Sequence, residues 1–251
     1  MALKVSIITA TYNSVNTFEM CANSVLNQTY SNIEYIIVDG QSNDGTIEII
    51  KSIAFNHNNV NWISEKDNGI YDALNKGIEL ATGDIIGFVH SDDFLSNKTI
   101  ISSIVEYFKI QNADGIYGDL HYVSKDNINK VVRNWISKPF KSNLLKRGWM
   151  PPHPTLYLKS EVFKVYGGFD LNFDISADYD FISRIFKQPH LNFYYLPITI
   201  VKMRIGGASN RNFKNILKKT QEDYYAVKKN QTGNWLTIIF KNVSKLNQFV
   251  N

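Results

Sequence analysis

The chain has 251 residues, 44% of them hydrophobic and 13% aromatic, which is enough to bury a sizeable core and too apolar for a disordered polypeptide. Its net charge of +4 is unevenly spread, because residues 1–210 hold 19 Lys and Arg against 21 Asp and Glu whereas residues 211–251 hold 8 against 2. A slightly acidic body with a basic tail is not the footprint of a nucleic-acid binder, so no such partner is expected, and the tail suits an anionic membrane surface better.

No apolar run approaches the roughly 18 residues of a membrane span. The opening MALKVSIITATYN enters a strand-like segment with no basic leader or cleavage site, which predicts an uncleaved, cytoplasmic protein. Val5–Thr9 is a β-branched run, and Phe18, Cys21, Ala22, Val25 and Leu26 then recur on one helical face, with Asn16 and Glu19 suited to its N-cap and capping-box positions. On that stripe the lone cysteine, Cys21, reads as a buried thiol. Ile33–Val38 predicts a second strand, Thr46–Ala54 a helix, Val60–Ser64 a short strand, Ile70–Ala81 a helix, Ile85–Val89 a buried strand and Lys98–Lys109 another helix. This alternation predicts an α/β fold with a Rossmann-like, mostly parallel open sheet covered by helices on both faces.

The second half is less regular. Gly115–Val123 and Val131–Trp135 read as paired strands, and Ser160 suits the cap of a short helix before Gly167. A break near Gly206–Asn210 divides the expected catalytic domain, residues 1–210 with halves 1–118 and 119–210, from a basic helical extension over residues 211–251. In that extension Trp235, Ile239, Val243, Leu246 and Val250 share a helical face, which fits packing on the fold, a second subunit, or peripheral contact with the inner face of a membrane.

Ligands of open parallel sheets bind beyond the carboxyl ends of the strands, so the polar residues that follow each apolar run carry the functional weight. The first strand ends in Thr11-Tyr12-Asn13, the second in Asp39-Gly40-Gln41-Ser42-Asn43-Asp44-Gly45-Thr46, and the fourth in His90-Ser91-Asp92-Asp93. Asp44 and Thr46 fit a helix cap. Asp39, at a strand tip, can accept a hydrogen bond from a base N–H or a ribose hydroxyl. Adjacent Asp92 and Asp93 repel each other unless a cation or donor relieves them, and hard oxygen ligands without a Cys or His cluster suit Mg²⁺ or Mn²⁺. Asp178, near the predicted start of a helix, can be a general base or a plain N-cap, with Asp180 a second carboxylate close by. Arg204, before Gly206-Gly207, can clamp a phosphate.

Six phrases in order resemble the family 2 inverting glycosyltransferases, particularly those building bacterial O-antigen, capsule and other surface polysaccharides. They are Val5-Ser6-Ile7-Ile8 leading to Thr11-Tyr12-Asn13, then VDGQSNDGT, EKDNGIYDALNKGI, GDIIGFVHSDD, GGFD and SADYDF. The resemblance implies the glycosyltransferase-A fold, a nucleotide-sugar donor such as a UDP-sugar, an Mn²⁺ or Mg²⁺ cofactor, and a glycan or lipid-linked oligosaccharide acceptor. By position it assigns Tyr12, Asp39 and Asp67 to the nucleoside, Asp92 to the ribose or sugar, Asp93 to the metal and Asp178 to the catalytic base. It gives His153 as a metal or diphosphate contact. Nucleotidyl transfer and a non-catalytic sugar-binding module are the alternatives, the first weakened by the lack of a Gly-rich phosphate loop after the first strand.

Overall fold

Strands β1 (Val5–Thr11), β2 (Ile33–Asp39) and β4 (Ile85–Phe88) are buried along their whole length, as continuous apolar runs covered on both faces must be. The computed structural model describes residues 2–206 and 213–246. Residues 207–210, Arg211 and Val250, named above in the break and the tail, lie outside that range, as do the side chains of Lys214, Lys245 and Leu246.

With β3 (Val60–Ser64), these strands form a parallel half-sheet in the order β3-β2-β1-β4. Alternation along β1 sends Val5 and Ile7 into one core and Ile8 and Ala10 into the other. The first core is closed by α1 (Phe18–Leu26), α2 (Thr46–Asn56) and α4 (Ile100–Gln111), the second by α3 (Ile70–Leu80). The expected capping box at Asn16 and Glu19 does not form. Thr17 holds the N-cap position without a side-chain bond, and the Ser14 carbonyl instead accepts the N–H groups of Thr17 and Phe18. Asp44 does act as a cap, accepting the Thr46 N–H at 3.0 Å.

Beyond β4 the sheet turns mixed. Short β5 (Phe94–Leu95) and β8 (Tyr157–Lys159) pair antiparallel with β9 (Phe193–Arg204) and with β4 and β6 (Gly115–Val123), completing a nine-stranded sheet. The predicted hairpin of β6 with β7 (Val131–Trp135) is present. Strand β9 carries Pro197, which lacks an N–H; the β6–β9 register slips between Tyr117 and Asp119, opposite the stretch Tyr195–Thr199 that contains it. Ser160 opens α5 (Ser160–Tyr166) but does not cap it.

The C-terminal helices α7 (Phe213–Asn230) and α8 (Trp235–Leu246) are built into this body. Helix α7 packs on α6 (Ala177–Phe186) and α8 on the 3₁₀ turn Ser142–Arg147. Ala226, Val227 and Ile238 belong to the second core. Gly148 lies under α8, where a β-carbon would come 2.6 Å from the Thr237 carbonyl oxygen. Glu222 of α7 accepts the N–H groups of Ile175 and Ser176 at 2.8 and 2.9 Å, supplying from another helix the cap that α6 lacks in its own sequence. Three tail lysines pair with carboxylates, Lys218 with Asp174 on the surface, Lys229 with Asp170 and Asp180, and Lys241 with Asp223 in the interior.

At the opposite edge of the sheet from the strand tips, Glu34 is buried within β2. Its carboxylate accepts the Ser6 hydroxyl at 2.6 Å, the Thr82 N–H and hydroxyl at 2.9 and 2.8 Å, and the Lys4 ammonium at 2.9 Å. Burial pushes this carboxyl up, but the four donors outweigh burial and bring it from 4.5 down to about 2. A depressed carboxyl stabilises the fold above its unfolded value and stops doing so as pH falls through its folded value, so the contribution fades between pH 4.5 and about 2. Urea unfolding of Glu34→Gln at pH 7 should show a loss of ~3 kcal/mol, shrinking toward zero across that acid window.

Candidate active site

The parallel register sets the tips of the strands level, with Thr11 opposite Asp39 and Asp39 opposite Ser64. Asp39 has no solvent exposure, and its oxygens accept the Ser42 N–H at 3.0 Å, the Ser42 hydroxyl at 2.5 Å and the Ser64 hydroxyl at 2.6 Å. A carboxylate offers about four acceptor sites, so this one is mostly occupied in shaping the turn after β2. Thr11 is buried, and its carbonyl receives the Gly40 N–H. Asn13 adopts a left-handed backbone, φ 49°, and ties the two turns together through Ser42 and Asn43. Gly40 is hemmed in by the two residues expected at a nucleoside: a β-carbon there would lie 2.6 Å from Asp67 Oδ2 and 3.4 Å from the Tyr12 ring. Tyr12 is 63% exposed, so these groups converge on an open shelf.

The adjacent acidic pair divides into two different environments. Asp93 has no exposure; its Oδ1 accepts the Arg204 backbone N–H at 3.2 Å, and its Oδ2 has no partner among the described residues. Burial first, and the neighbouring Asp92 charge second, hold the Asp93 carboxyl well above the usual range, which favours the neutral acid. Asp92 is half-buried, lines the main cavity, and its carboxylate accepts no hydrogen bond from any described residue. Asp93, the expected direct metal ligand, lines the same cavity but is buried, so Asp92 is the more accessible of the two carboxylates to a cation.

Arg204, expected from sequence to clamp a phosphate, lines the same cavity as Asp92. It ends β9, is 8% exposed, and spends its guanidinium on the Asp92 carbonyl and, at 2.7 Å, on Met20 Sδ. It braces the acidic turn from behind.

A cavity of about 1030 Å³ opens beyond these tips, lined among others by Asp92, His153, Asp178, Trp149 and Lys219. Asp178 is the second residue of α6, where the helix N-terminus favours negative charge. His153 Nδ1 stands 3.0 Å from Asp178 Oδ2, and the Tyr71 hydroxyl is 3.3 Å from Oδ1. Burial pushes the Asp178 carboxyl up, but His153, Lys241, Lys219 and the Tyr179 N–H together leave it below the usual range, hence ionised. Burial also takes His153 down to about 4, so its imidazole is neutral near pH 7. Asp180 points elsewhere, buried against Arg184, Lys229 and Asn230, so it is no second carboxylate for the cavity.

Lys241 enters from α8 with its ammonium 3.2 Å from the centroid of the Tyr179 ring and 2.7 Å from Asp223, and burial draws it down to about 8. Tyr71, His90, Lys219 and Lys241 are the cavity residues that sequence reasoning did not single out. His90 had a signal, since it precedes the acidic pair at a strand tip; the lysines had none, because only the packing of the tail brings them there. Among the described residues no group of three or more His, Cys, Asp or Glu side chains is arranged to hold a metal ion. Asp92 still fits one, because Mg²⁺ and Mn²⁺ sites commonly combine one or two carboxylates with phosphate oxygens and water.

Comparison with known proteins places this site in a family. The model for glycosyl transferase family 2 matches residues 6–164, more than half of the chain. The chain is 32% identical over 184 residues to an uncharacterized glycosyltransferase of Mycobacterium tuberculosis, covering 72% of this chain and 68% of that one. It is similar in fold to S. aureus TarS 1–349 in complex with UDP-GlcNAc, with a TM-score of 0.71 at 16% identity over 90% of this chain and 66% of that one. It is also similar to the mannosyltransferase PcManGT from Pyrobaculum calidifontis in complex with GDP-Man and Mn²⁺, with a TM-score of 0.67 at 18% identity over 91% of this chain and 64% of that one. The chain thus spans just under two thirds of either solved chain. By its matched domain, its relative and its fold, the chain belongs to glycosyltransferase family 2, an enzyme family with the glycosyltransferase-A architecture.

Proposed function

We propose that the enzyme moves a sugar from a nucleotide-sugar donor to an acceptor hydroxyl with inversion, and that Asp178 is the base. The observation that carries this is an ionised carboxylate at a helix N-terminus facing the same cavity as the uncommitted carboxylate of Asp92. The acceptor oxygen attacks the anomeric carbon from the face opposite the phosphate. As that bond forms, the bond from the anomeric carbon to the phosphate oxygen breaks, its electron pair leaves with the nucleoside diphosphate, and the hydroxyl proton passes to Asp178. One carboxylate suffices, and Asp180 faces away, which supports single displacement over a covalent intermediate. The shelf of Tyr12, Gly40 and Asp67 is where the nucleoside would lie, next to the acidic turn. When bound, Mn²⁺ or Mg²⁺ supplies Lewis acidity at the donor diphosphate, and Asp92 is the residue that would hold it. The UDP-GlcNAc and GDP-Man of the two solved relatives in fold support a nucleotide-sugar donor.

Helix α8 supports an acceptor presented at a membrane. Its inward face places Lys241 and Ser244 on the cavity, while Trp235, Leu236, Ile239, Phe240 and Val243 point to solvent. Exposed Lys146 shares a surface pocket with Leu236 and Phe240, and Arg147 beside it is also exposed, so the apolar face is rimmed by cations. Apolar residues with such a rim fit the interface of an anionic bilayer. No helix among the described residues is long and apolar enough to cross one. A glycan acceptor on a lipid carrier, as in surface polysaccharide synthesis, would arrive there.

Three outcomes check this reading. A panel of UDP- and GDP-sugars, assayed for nucleoside diphosphate release with glycan acceptors, should yield a donor whose transfer falls on the order of 10²–10⁴-fold in Asp178→Asn while donor affinity persists; turnover near wild type in that variant removes the base assignment. Calorimetric titration of UDP with and without Mn²⁺ should lose its metal dependence in Asp92→Asn and keep it in Asp93→Asn, and the reverse order would restore Asp93 as the ligand. Sedimentation with phosphatidylglycerol vesicles at low salt should capture the wild-type chain but not Ile239→Ser/Phe240→Ser; if the wild type instead dimerises in solution and the double variant is monomeric, a second copy covers the face.

A further inference from the structure

We propose that His153 is a positioning residue for Asp178: its Nδ1 stands against Oδ2 and fixes the carboxylate that takes the acceptor proton. The proposal rests on Asp178 being the base, and it assigns to His153 a different task from the metal or diphosphate contact expected from sequence.

The geometry of the pair is the first support. Nδ1 and Oδ2 are 3.0 Å apart, a direct contact between the ring and the carboxylate. A neutral imidazole has one N–H, and in the Nδ1–H tautomer it faces the carboxylate. The ring is held on both sides. Pro152 and Pro154 flank it in a 3₁₀ turn, the Thr155 N–H donates to the Pro152 carbonyl at 2.9 Å, and the Thr155 hydroxyl, itself receiving the Gly118 N–H, donates to the same carbonyl at 2.7 Å. The His90 ring packs against the other side of His153 with centroids 5.7 Å apart. The backbone that carries the imidazole is thus fixed, so the ring can set where the carboxylate stays.

The second oxygen is in reach of Tyr71, whose hydroxyl is 2.7 Å from the Ile175 carbonyl and 3.3 Å from Oδ1. A phenol has one proton to give, so the shorter bond to Ile175 leaves only a weak hold on Oδ1. The proton moves from the acceptor hydroxyl to the carboxylate of Asp178, the imidazole stays in place, and no further co-reactant is needed.

Three substitutions separate this role from the alternatives. The amide nitrogen of Asn lies close to the position of Nδ1, whereas that of Gln lies nearer to Nε2. With the donor found in the panel above, His153→Ala and His153→Gln should each lower kcat by about 10–100-fold with the KM for donor unchanged, and His153→Asn should recover most of the loss. Recovery by Gln but not Asn, or a loss expressed in donor KM, would show that the ring acts through Nε2 on the metal or the diphosphate and would overturn the proposal. Should His153→Ala fail to fold, the Asn and Gln variants still decide it. A substrate-free measurement stands beside these: imidazole ¹H–¹⁵N correlation spectra should show neutral His153 protonated on Nδ1 at pH 7, a preference weakened in Asp178→Ala. The Nε2–H tautomer in the wild type would sink the idea whatever the kinetics. If Asp178→Asn keeps full transfer, the base assignment itself has failed; if that variant is inactive while all three His153 variants match wild type, only the positioning role has.

Discussion

Everything in this molecule that bears on chemistry depends on the level register of four parallel strands. Because Thr11, Asp39 and Ser64 stand opposite one another, the turns that follow β1, β2 and β3 emerge at one edge, the first two joined through Asn13 and Ser42 and the third tied in by the Ser64 hydroxyl on Asp39. Strand β4, paired with β1 up to Phe88, delivers the acidic turn just beyond the same edge, where Ser14 and Ser91 meet at 3.0 Å. A slip of one residue in any pair would turn its core residues outward and carry its polar tip away from the others. The mixed half of the sheet then returns to that edge from the other side, with Arg204 at the end of β9 under the acidic turn and His153 in the loop before β8.

Environment, more than residue type, divides the labour among the carboxylates. Asp93 is buried and pushed toward the acid, Asp92 next to it is half-buried with no hydrogen-bond donor from the described residues on its carboxylate, and Asp178 is held below the usual carboxylate range by an imidazole and two lysines. Asp39 and Asp44 organise turns, and Glu34, at the far edge, ties β1 and β2 to the start of β4's approach through Ser6, Lys4 and Thr82. The same functional group thus stands open, buried, as a cap or as a staple according to how many donors reach it and how much water it has lost.

The parallel half was legible because its signals are local. Buried strands of β-branched residues alternate with amphipathic helices, and every element expected between Val5 and Lys109 is present to within a few residues at its ends. Cys21 sits in the core as its stripe implied, its thiol pushed up to about 12 by burial. The misses have a common cause in distance along the chain. Strand β9 was obscured by Pro197, which forbids a ladder bond and is tolerated only because the partner strand shifts register. Asp92 and Asp93 look equivalent in sequence, and what separates them is the arrival of Arg204, 111 residues later than Asp93. The pairing of His153 with Asp178 and the burial of Lys241 likewise join segments that carry no mark of each other.

The bond from Glu222 to the backbone of Ile175 and Ser176 has a temporal consequence. The helix that carries Asp178 is capped by a residue that leaves the ribosome more than forty positions later, and the wall beside it is finished later still by Lys241. During synthesis, the parallel strands can pair while Asp178 is still unanchored. The cavity is therefore completed only once the last helices have folded back onto the body.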